Sequence, residues 1–392
     1  MSRPIPERFE IAIPDSDLED LHSRLLRWRR AADFSNADWR YGMNGDYLAE
    51  LVDYWFHGYD WRAQEARMNE FDHYRVVIDD MPIHFLHLRG KGKDPIPLVM
   101  SHGWPWTFWD FERMLRPLAD PAAFGADSDL AFDLVVPSLP GFGFSSPLEQ
   151  PGVGFARTAE LWDRLMREVL GYERYAAHGG DWGSLVTAAI GHLATDHLIG
   201  VHECMGGFLG LDYGAIPAED YAAEESDWGE RVARRFPATA SHMAVHTIDP
   251  QTLAFALEDS PVGLAAWLVE RRRAWSDCGG DVETRFSKDD LLTTVSIYWH
   301  TRTIGTSMRF YWESMGGALW SPIHDADPPV PTPSGFAIMP EDNILVPRKT
   351  AERYANVQHW TVMPRGGHFG PAEEPELMVE DLRRFFRGLR PS

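Results

Sequence analysis

The sequence of 392 residues is poor in cysteine: Cys204 and Cys278 are its only two, too few for a disulfide framework and without metal-site spacing. Both read as small buried hydrophobes. Positive charge is also short. With 37 Lys and Arg against 59 Asp and Glu the formal net charge is −22, and no basic cluster is large enough for a nucleic-acid footprint. Phosphate backbones and anionic membranes are therefore unexpected partners, and a small neutral substrate suits the chain better. No apolar run approaches the roughly 18 to 20 residues of a membrane span. The opening Met1-Ser2-Arg3-Pro4-Ile5-Pro6-Glu7 lacks the apolar stretch of a signal peptide, so a soluble, cytoplasmic protein is expected. An HExxH pattern and a Gly-rich dinucleotide fingerprint after the first strand are missing too. No metal and no cofactor beyond water is expected.

Aromatic residues are abundant: 16 Trp, 21 Phe and 12 Tyr within a 44% apolar composition, enough for a large core and an aromatic pocket. Residues 1–70 read as a helical wrap over the main body, with Ser16 and Glu19 as a candidate capping box. Residues 71–213 alternate short apolar runs with helical stretches. Tyr74 to Ile78 and Ile83 to Leu88 form a hairpin through Asp79-Asp80-Met81-Pro82, followed by strands near 96–100, 134–137, 175–178 and 199–204. That alternation predicts an α/β fold with a mostly parallel sheet and helices on both faces. Over 214–324 the strand signal lapses into an aromatic-rich helical pattern, an inserted cap. Residues 325–392 return to the sheet and end in a helix over Pro375 to about Leu389.

The stretch Gly179-Gly180-Asp181-Trp182-Gly183 follows a strand and opens a helix. Small residues flanking a projecting side chain are what a nucleophile elbow requires, and a helix N-terminus favours an anion. The same five residues fit an ordinary Gly-rich turn with a capping Asp, so the rest of the chain must decide. Ser101-His102-Gly103-Trp104-Pro105 follows an earlier strand and offers the Trp104 N–H as a partner to that of Trp182 in an oxyanion hole. Gly366-Gly367-His368-Phe369 delivers a histidine after the last strand, making His368 the candidate base. Met339-Pro340-Glu341-Asp342 supplies its orienting carboxylate: Asp342 is preferred, Glu341 is a close rival and Glu203 a distant third. Ser184 lies beyond the apex, which argues against a serine hydrolase.

With Gly141-Phe142-Gly143-Phe144-Ser145 and Arg309-Phe310-Tyr311, these ordered motifs resemble the epoxide hydrolases of the α/β-hydrolase superfamily, in the microsomal-like branch with its own N-terminal domain. The resemblance covers nearly the whole chain, including Tyr59-Asp60-Trp61-Arg62. It implies an α/β-hydrolase fold with an inserted helical cap and an N-terminal helical wrap. It also implies a reaction in which Asp181 attacks an epoxide carbon, Tyr311 assists the departing oxygen, and water activated by His368 hydrolyses the ester to a diol. An aspartate suits this role because the ester carbonyl lies on the enzyme, whereas a serine would leave a stable ether.

The family commonly uses two cap tyrosines, and at the position expected for the first stands Trp267, whose indole donates a hydrogen bond but is too weak an acid to protonate an alkoxide. Trp267 is therefore expected to position the ring or epoxide. With Trp104, Trp106, Phe142, Phe144 and Trp182 it is expected to line an apolar pocket for an aryl or polycyclic epoxide. Relatives in bacteria also serve natural-product pathways, enediyne antibiotics among them, which extends the expectation to such a role; a homodimer is a further possibility. A haloalkane or haloacid dehalogenase shares the Asp elbow and the histidine and stays open as an alternative. A non-catalytic hydrolase-fold binding protein is a weaker one.

Overall fold

Strands that are apolar throughout are covered on both faces, and such strands assemble as a parallel sheet between helices. In the computed structural model of the chain, which describes residues 4–126, 130–316 and 320–389, one sheet holds nine strands among the described residues. These are β1 (Glu7–Phe9), β2 (His73–Ile78), β3 (Met81–Leu88), β4 (Ile96–Ser101), β5 (Phe132–Pro137), β6 (Tyr175–Gly179), β7 (Leu198–Glu203), β8 (Val330–Ile338) and β9 (Ala355–Val362). Their order is β1-β2-β3-β5-β4-β6-β7-β8-β9. The first three pairings are antiparallel and the rest parallel. Every residue of β5 and β6 is buried, as strands inside a covered parallel sheet must be.

From β4 the chain passes to β5 on one side and then crosses to β6 on the other. The carboxyl ends of β4 and β6 therefore border the crevice where open α/β sheets hold their ligands. Helices cover both faces. A side chain at Gly200 would meet Phe385 of helix Pro375–Gly388, whereas its neighbour Val201 faces Gly191 of helix Trp182–Leu193. Successive strand residues point to opposite faces, so the two helices lie on opposite sides of the sheet.

Three details differ from the sequence expectation. The hairpin turns through Asp79 and Asp80 alone, both at positive φ (49° and 61°), because Met81 and Pro82 already pair with Ile78 and Val77. A two-residue turn of this kind matches the twist of the strands it joins. Ser16 and Glu19 form no capping box: helix Asp15–Leu25 starts directly after Pro14, which holds φ −58° and ψ 144°, so Ser16 already lies in the first turn. The N-terminal segment is not wholly helical either, since β1 adds an edge strand by pairing with β2. Phe9 on that strand packs against His84 and Phe144.

The helices of the wrap, Gly45–His57 and Trp61–Met68, are capped by Asn44 and Asp60 side chains that accept first-turn N–H groups. They grip the cap as well as the core. The Tyr54 hydroxyl donates to Asp289 at 2.9 Å, and that of Tyr59 lies 3.2 Å from Thr293 Oγ1. The cap itself comprises helices Trp228–Ile248, Pro250–Asp259, Pro261–Trp275, Lys288–Thr301 and Ile304–Tyr311. Among the described residues no single helix is long and apolar enough to cross a membrane.

Candidate active site

Asp181 follows β6 and precedes helix Trp182–Leu193, with φ 53° and ψ −125°. A side-chain-bearing residue in such a conformation costs about 1–3 kcal/mol and persists only where its surroundings dictate it. Here the glycines dictate it. A side chain at Gly179 would come within 2.1 Å of the Gly183 carbonyl oxygen, and one at Gly183 within 1.9 Å of the Ser101 carbonyl oxygen. Strand ends and helix are thus pressed together, and the apex carboxylate is forced outward over the carboxyl end of the sheet.

The loop after β4 meets it there. The Trp104 N–H donates to Asp181 Oδ1 at 2.7 Å, and Gly103 lies so close that any side chain on it would strike the carboxylate. His102, whose role the sequence did not reveal, holds this loop. Its Nε2 accepts the Leu139 N–H at 3.0 Å, so its proton sits on Nδ1 and is donated to the Gly103 carbonyl at 2.9 Å. Burial pushes its imidazole down to about 4, so it stays neutral. The amide of Trp182 is the first of its helix and has no acceptor within the helix.

His368 reaches Asp181 from the opposite side. Its Nδ1 is 2.8 Å from Asp342 Oδ1 and its Nε2 is 3.2 Å from Asp181 Oδ2. The second contact is too poorly aligned to count as a hydrogen bond. Burial opposes a charge on this ring, but the Asp342 and Asp181 carboxylates outweigh it and push the imidazole up to about 10. The backbone N–H of His368 donates to the Trp275 carbonyl of the cap at 2.9 Å.

Of the adjacent carboxylates only Asp342 faces the histidine. Glu341 turns outward to Arg231, at 2.9 Å, and to Arg235, both on cap helix Trp228–Ile248. It latches cap to core instead of orienting His368. Glu203 accepts the Gly207 N–H at 2.8 Å, and burial raises its carboxyl well above the usual range; it has no contact with His368.

Tyr311 ends helix Ile304–Tyr311, 2% exposed, with its ring 4.7 Å from that of Trp182 and 5.9 Å from that of Trp104. Burial and the Asp181 charge push its phenol well above the ordinary value, so it holds its proton as a hydrogen-bond donor.

The other expected pocket residues divide. Trp106 is fully buried with its ring 5.8 Å from His368 and supports that histidine from the core side. Phe142 packs against Phe310, which packs against Trp182. Phe144 lies instead against Phe9, His84 and Phe108, among residues of β1 and β3 that the sequence reading had not placed beside it. Trp267 donates its indole N–H to His246 Nε2 at 3.3 Å and carries the Arg271 guanidinium 3.6 Å over its ring. His246, not Trp267, is the residue against Tyr311. Sequence reasoning passed over His242 and His246, whose only signal was their four-residue spacing on a cap helix. No group of three or more His, Cys, Asp or Glu residues is placed to hold a metal ion among the described residues.

A carboxylate on an elbow between strand and helix, facing a backbone amide on one side and an Asp-supported histidine on the other, defines an α/β-hydrolase with aspartate in the nucleophile position. Residues 96–240 match the family described as alpha/beta hydrolase fold, and residues 6–111 that described as Epoxide hydrolase N terminus. The chain is 38% identical over 387 residues to a protein of Stigmatella aurantiaca provisionally named an epoxide hydrolase, covering 97% of this chain and 85% of that one. It is 33% identical over 402 residues to epoxide hydrolase 1 of Oryctolagus cuniculus, covering 96% and 88%. The crystal structure of juvenile hormone epoxide hydrolase from the silkworm Bombyx mori superposes with a TM-score of 0.87 at 26% identity, covering 98% of this chain and 96% of that one. The chain belongs to the microsomal-type epoxide hydrolases, hydrolases that act on ether bonds. That membership sets aside the dehalogenase and binding-protein alternatives.

Proposed function

We propose that this enzyme opens an apolar epoxide, of aryl or polycyclic type, to a vicinal diol through a hydroxyalkyl ester on Asp181. The observation that carries the reading is the disposition of the carboxylate: Oδ1 on the Trp104 amide at 2.7 Å, Oδ2 at 3.2 Å from His368 Nε2. Oδ1 is already where an ester carbonyl oxygen needs its donors, which leaves Oδ2 to attack the epoxide carbon. As that carbon–oxygen bond forms, the ring carbon–oxygen bond breaks, its electron pair passes to the epoxide oxygen, and Tyr311 supplies the proton.

Esterification then removes the Asp181 charge, one of the two that hold the His368 proton. His368 can therefore lose its proton once the ester exists, that proton making good the one Tyr311 gave to the epoxide oxygen, and His368 becomes a base when one is needed. It takes a proton from water as the hydroxyl adds to the ester carbon. The tetrahedral oxyanion is met by the Trp104 and Trp182 amides, Asp342 balances the imidazolium, and collapse releases the diol and restores Asp181.

Support for the substrate class comes from the walls. Trp104, Trp182, Trp275 and Tyr311 are all at most 5% exposed and surround the carboxylate with aromatic surface. A single-turnover reaction with styrene oxide in ¹⁸O-labelled water tests the ester. The diol should form unlabelled, its new oxygen coming from Asp181, and label in first-turnover diol would exclude the mechanism. Turnover confined to small aliphatic epoxides would refute the substrate class.

A further inference from the structure

Burying a polar atom without a partner costs about 1–3 kcal/mol. His242 and His246 do so together. They stand one turn apart on helix Trp228–Ile248, so they project from one face, at 5% and 0% exposure. In each the Nδ1 atom is buried with no protein partner.

Their rings close the space that the proposed reaction uses. His242 lies parallel to Trp104 at 5.3 Å, and edge-on to Tyr311 at 5.4 Å. It also packs 4.7 Å from Trp275, which stands 5.2 Å from His368. His246 meets Trp104 at 4.6 Å and Tyr311 at 4.8 Å. The two imidazoles thus share walls with the phenol, the base and the residue whose amide holds the nucleophile.

The protonation of His246 can be deduced. An indole N–H only donates, so His246 Nε2, which receives the Trp267 N–H at 3.3 Å, must be the acceptor. In the neutral ring the proton then sits on Nδ1, the atom without a partner. Burial, then Arg271, pushes His246 down to about 3; burial, then His246, Arg271 and His368, lowers His242 well below its ordinary value against a smaller opposing pull from the Thr239 backbone, which lies too poorly aligned to hold the ring as a hydrogen-bond partner. Both rings are neutral N–H donors, and a neutral imidazole can polarise an oxygen without surrendering its proton.

We propose that His242 and His246 hold the departing epoxide oxygen beside Tyr311, in place of a second phenol, while Trp267 is a positioning residue that sets the tautomer of His246. Tyr311 remains the proton donor; the histidines stabilise the developing alkoxide by hydrogen bonds. The proposal rests on the Asp181 ester reading, and its test separates the two.

Rapid-quench single turnovers with styrene oxide resolve ester formation from ester hydrolysis. His242→Phe and His246→Phe keep a ring but remove the donor. Each should slow ester formation about 10- to 100-fold, the effect of one hydrogen bond to a developing charge. Ester hydrolysis should stay within about twofold of wild type, since that step makes no use of the epoxide oxygen. His242→Gln and His246→Gln retain an N–H and should recover much of the loss. Wild-type ester formation in both Phe variants would overturn the proposal, as would equal slowing of both steps or Gln variants no better than Phe. Asp181→Asn is the control: if it still forms diol at the wild-type rate, the ester reading itself fails, whatever the histidine variants do.

Discussion

The two half-reactions should respond to pH in opposite fashion, because His368 serves one of them as a bystander cation and the other as a base. In the resting site His368 is pushed from 6.5 up to about 10. That gap corresponds to roughly 5 kcal/mol in favour of the imidazolium. Since burial works against the charge, the two carboxylates supply all of it and more. Once Asp181 is esterified only Asp342 remains, and the His368 midpoint in the intermediate must lie well below about 10. Ester formation, which needs Asp181 as carboxylate and His368 in no special state, should be flat from about pH 6 to 9. Hydrolysis should rise about tenfold per pH unit below the His368 midpoint and then level off. The assay is a stopped reaction with styrene oxide, with the alkylated protein quantified by intact mass at each pH. Ester should accumulate at pH 6 and vanish faster than it forms at pH 9. Hydrolysis that is flat across this range, or ester formation that rises with pH, would refute the assignment of His368 as the base.

Three further expectations follow from the same geometry. Asp342→Asn should slow ester hydrolysis about a hundredfold or more by leaving the imidazole unsupported, whereas Glu341→Gln should change it less than about twofold and cost at most ~1 kcal/mol for a latch whose Glu side chain is 38% exposed; single-turnover rates and urea unfolding distinguish them, and equal rate losses would return Glu341 to the triad. The raised His368 contributes stability that is fully present below about 6.5 and is lost as pH climbs through about 10. Wild type should therefore lose more unfolding free energy between pH 7 and 10 than Asp342→Asn, with roughly 5 kcal/mol as the ceiling; an equal loss in both would count against the ion pair. Gly183→Ala would put a carbon 1.9 Å from the Ser101 carbonyl oxygen, so it should cost more than about 4 kcal/mol or give no soluble protein, and a native-like urea midpoint would contradict the close approach.

How much of this was legible beforehand depended on whether local backbone chemistry or distant packing decided each feature. The elbow, the loop at Trp104 and the histidine at 368 were readable because each needs glycines at fixed places to let chains approach or φ turn positive, and glycine spacing survives in a bare sequence. The acid was only half readable. Asp342 and Glu341 are chemically alike neighbours, and what separates them is the cap: Arg231 and Arg235 draw Glu341 away. β1 escaped notice because a three-residue strand, Glu-Arg-Phe, is too short to show a period, and with it went the true surroundings of Phe144. Trp267 was singled out as standing where a cap tyrosine was expected, but its N–H points to a histidine on another helix, a contact no one-dimensional pattern contains.

The cap of this enzyme is fastened rather than hinged. Arg272 on its helix Pro261–Trp275 forms a buried ion pair with Asp110 at 2.6 Å, just beyond the Trp104 loop. The Tyr298 hydroxyl donates to the Trp106 carbonyl at 2.8 Å, and the Trp275 carbonyl receives the His368 amide. The wrap adds Tyr54 and Tyr59 from outside, and is itself stitched to the sheet edge through β1. Swinging the cap open would break these ties and displace the oxyanion amide and the base in the same motion. The bonds that seat the cap are thus the same ones that keep the oxyanion amide and the base in register with Asp181.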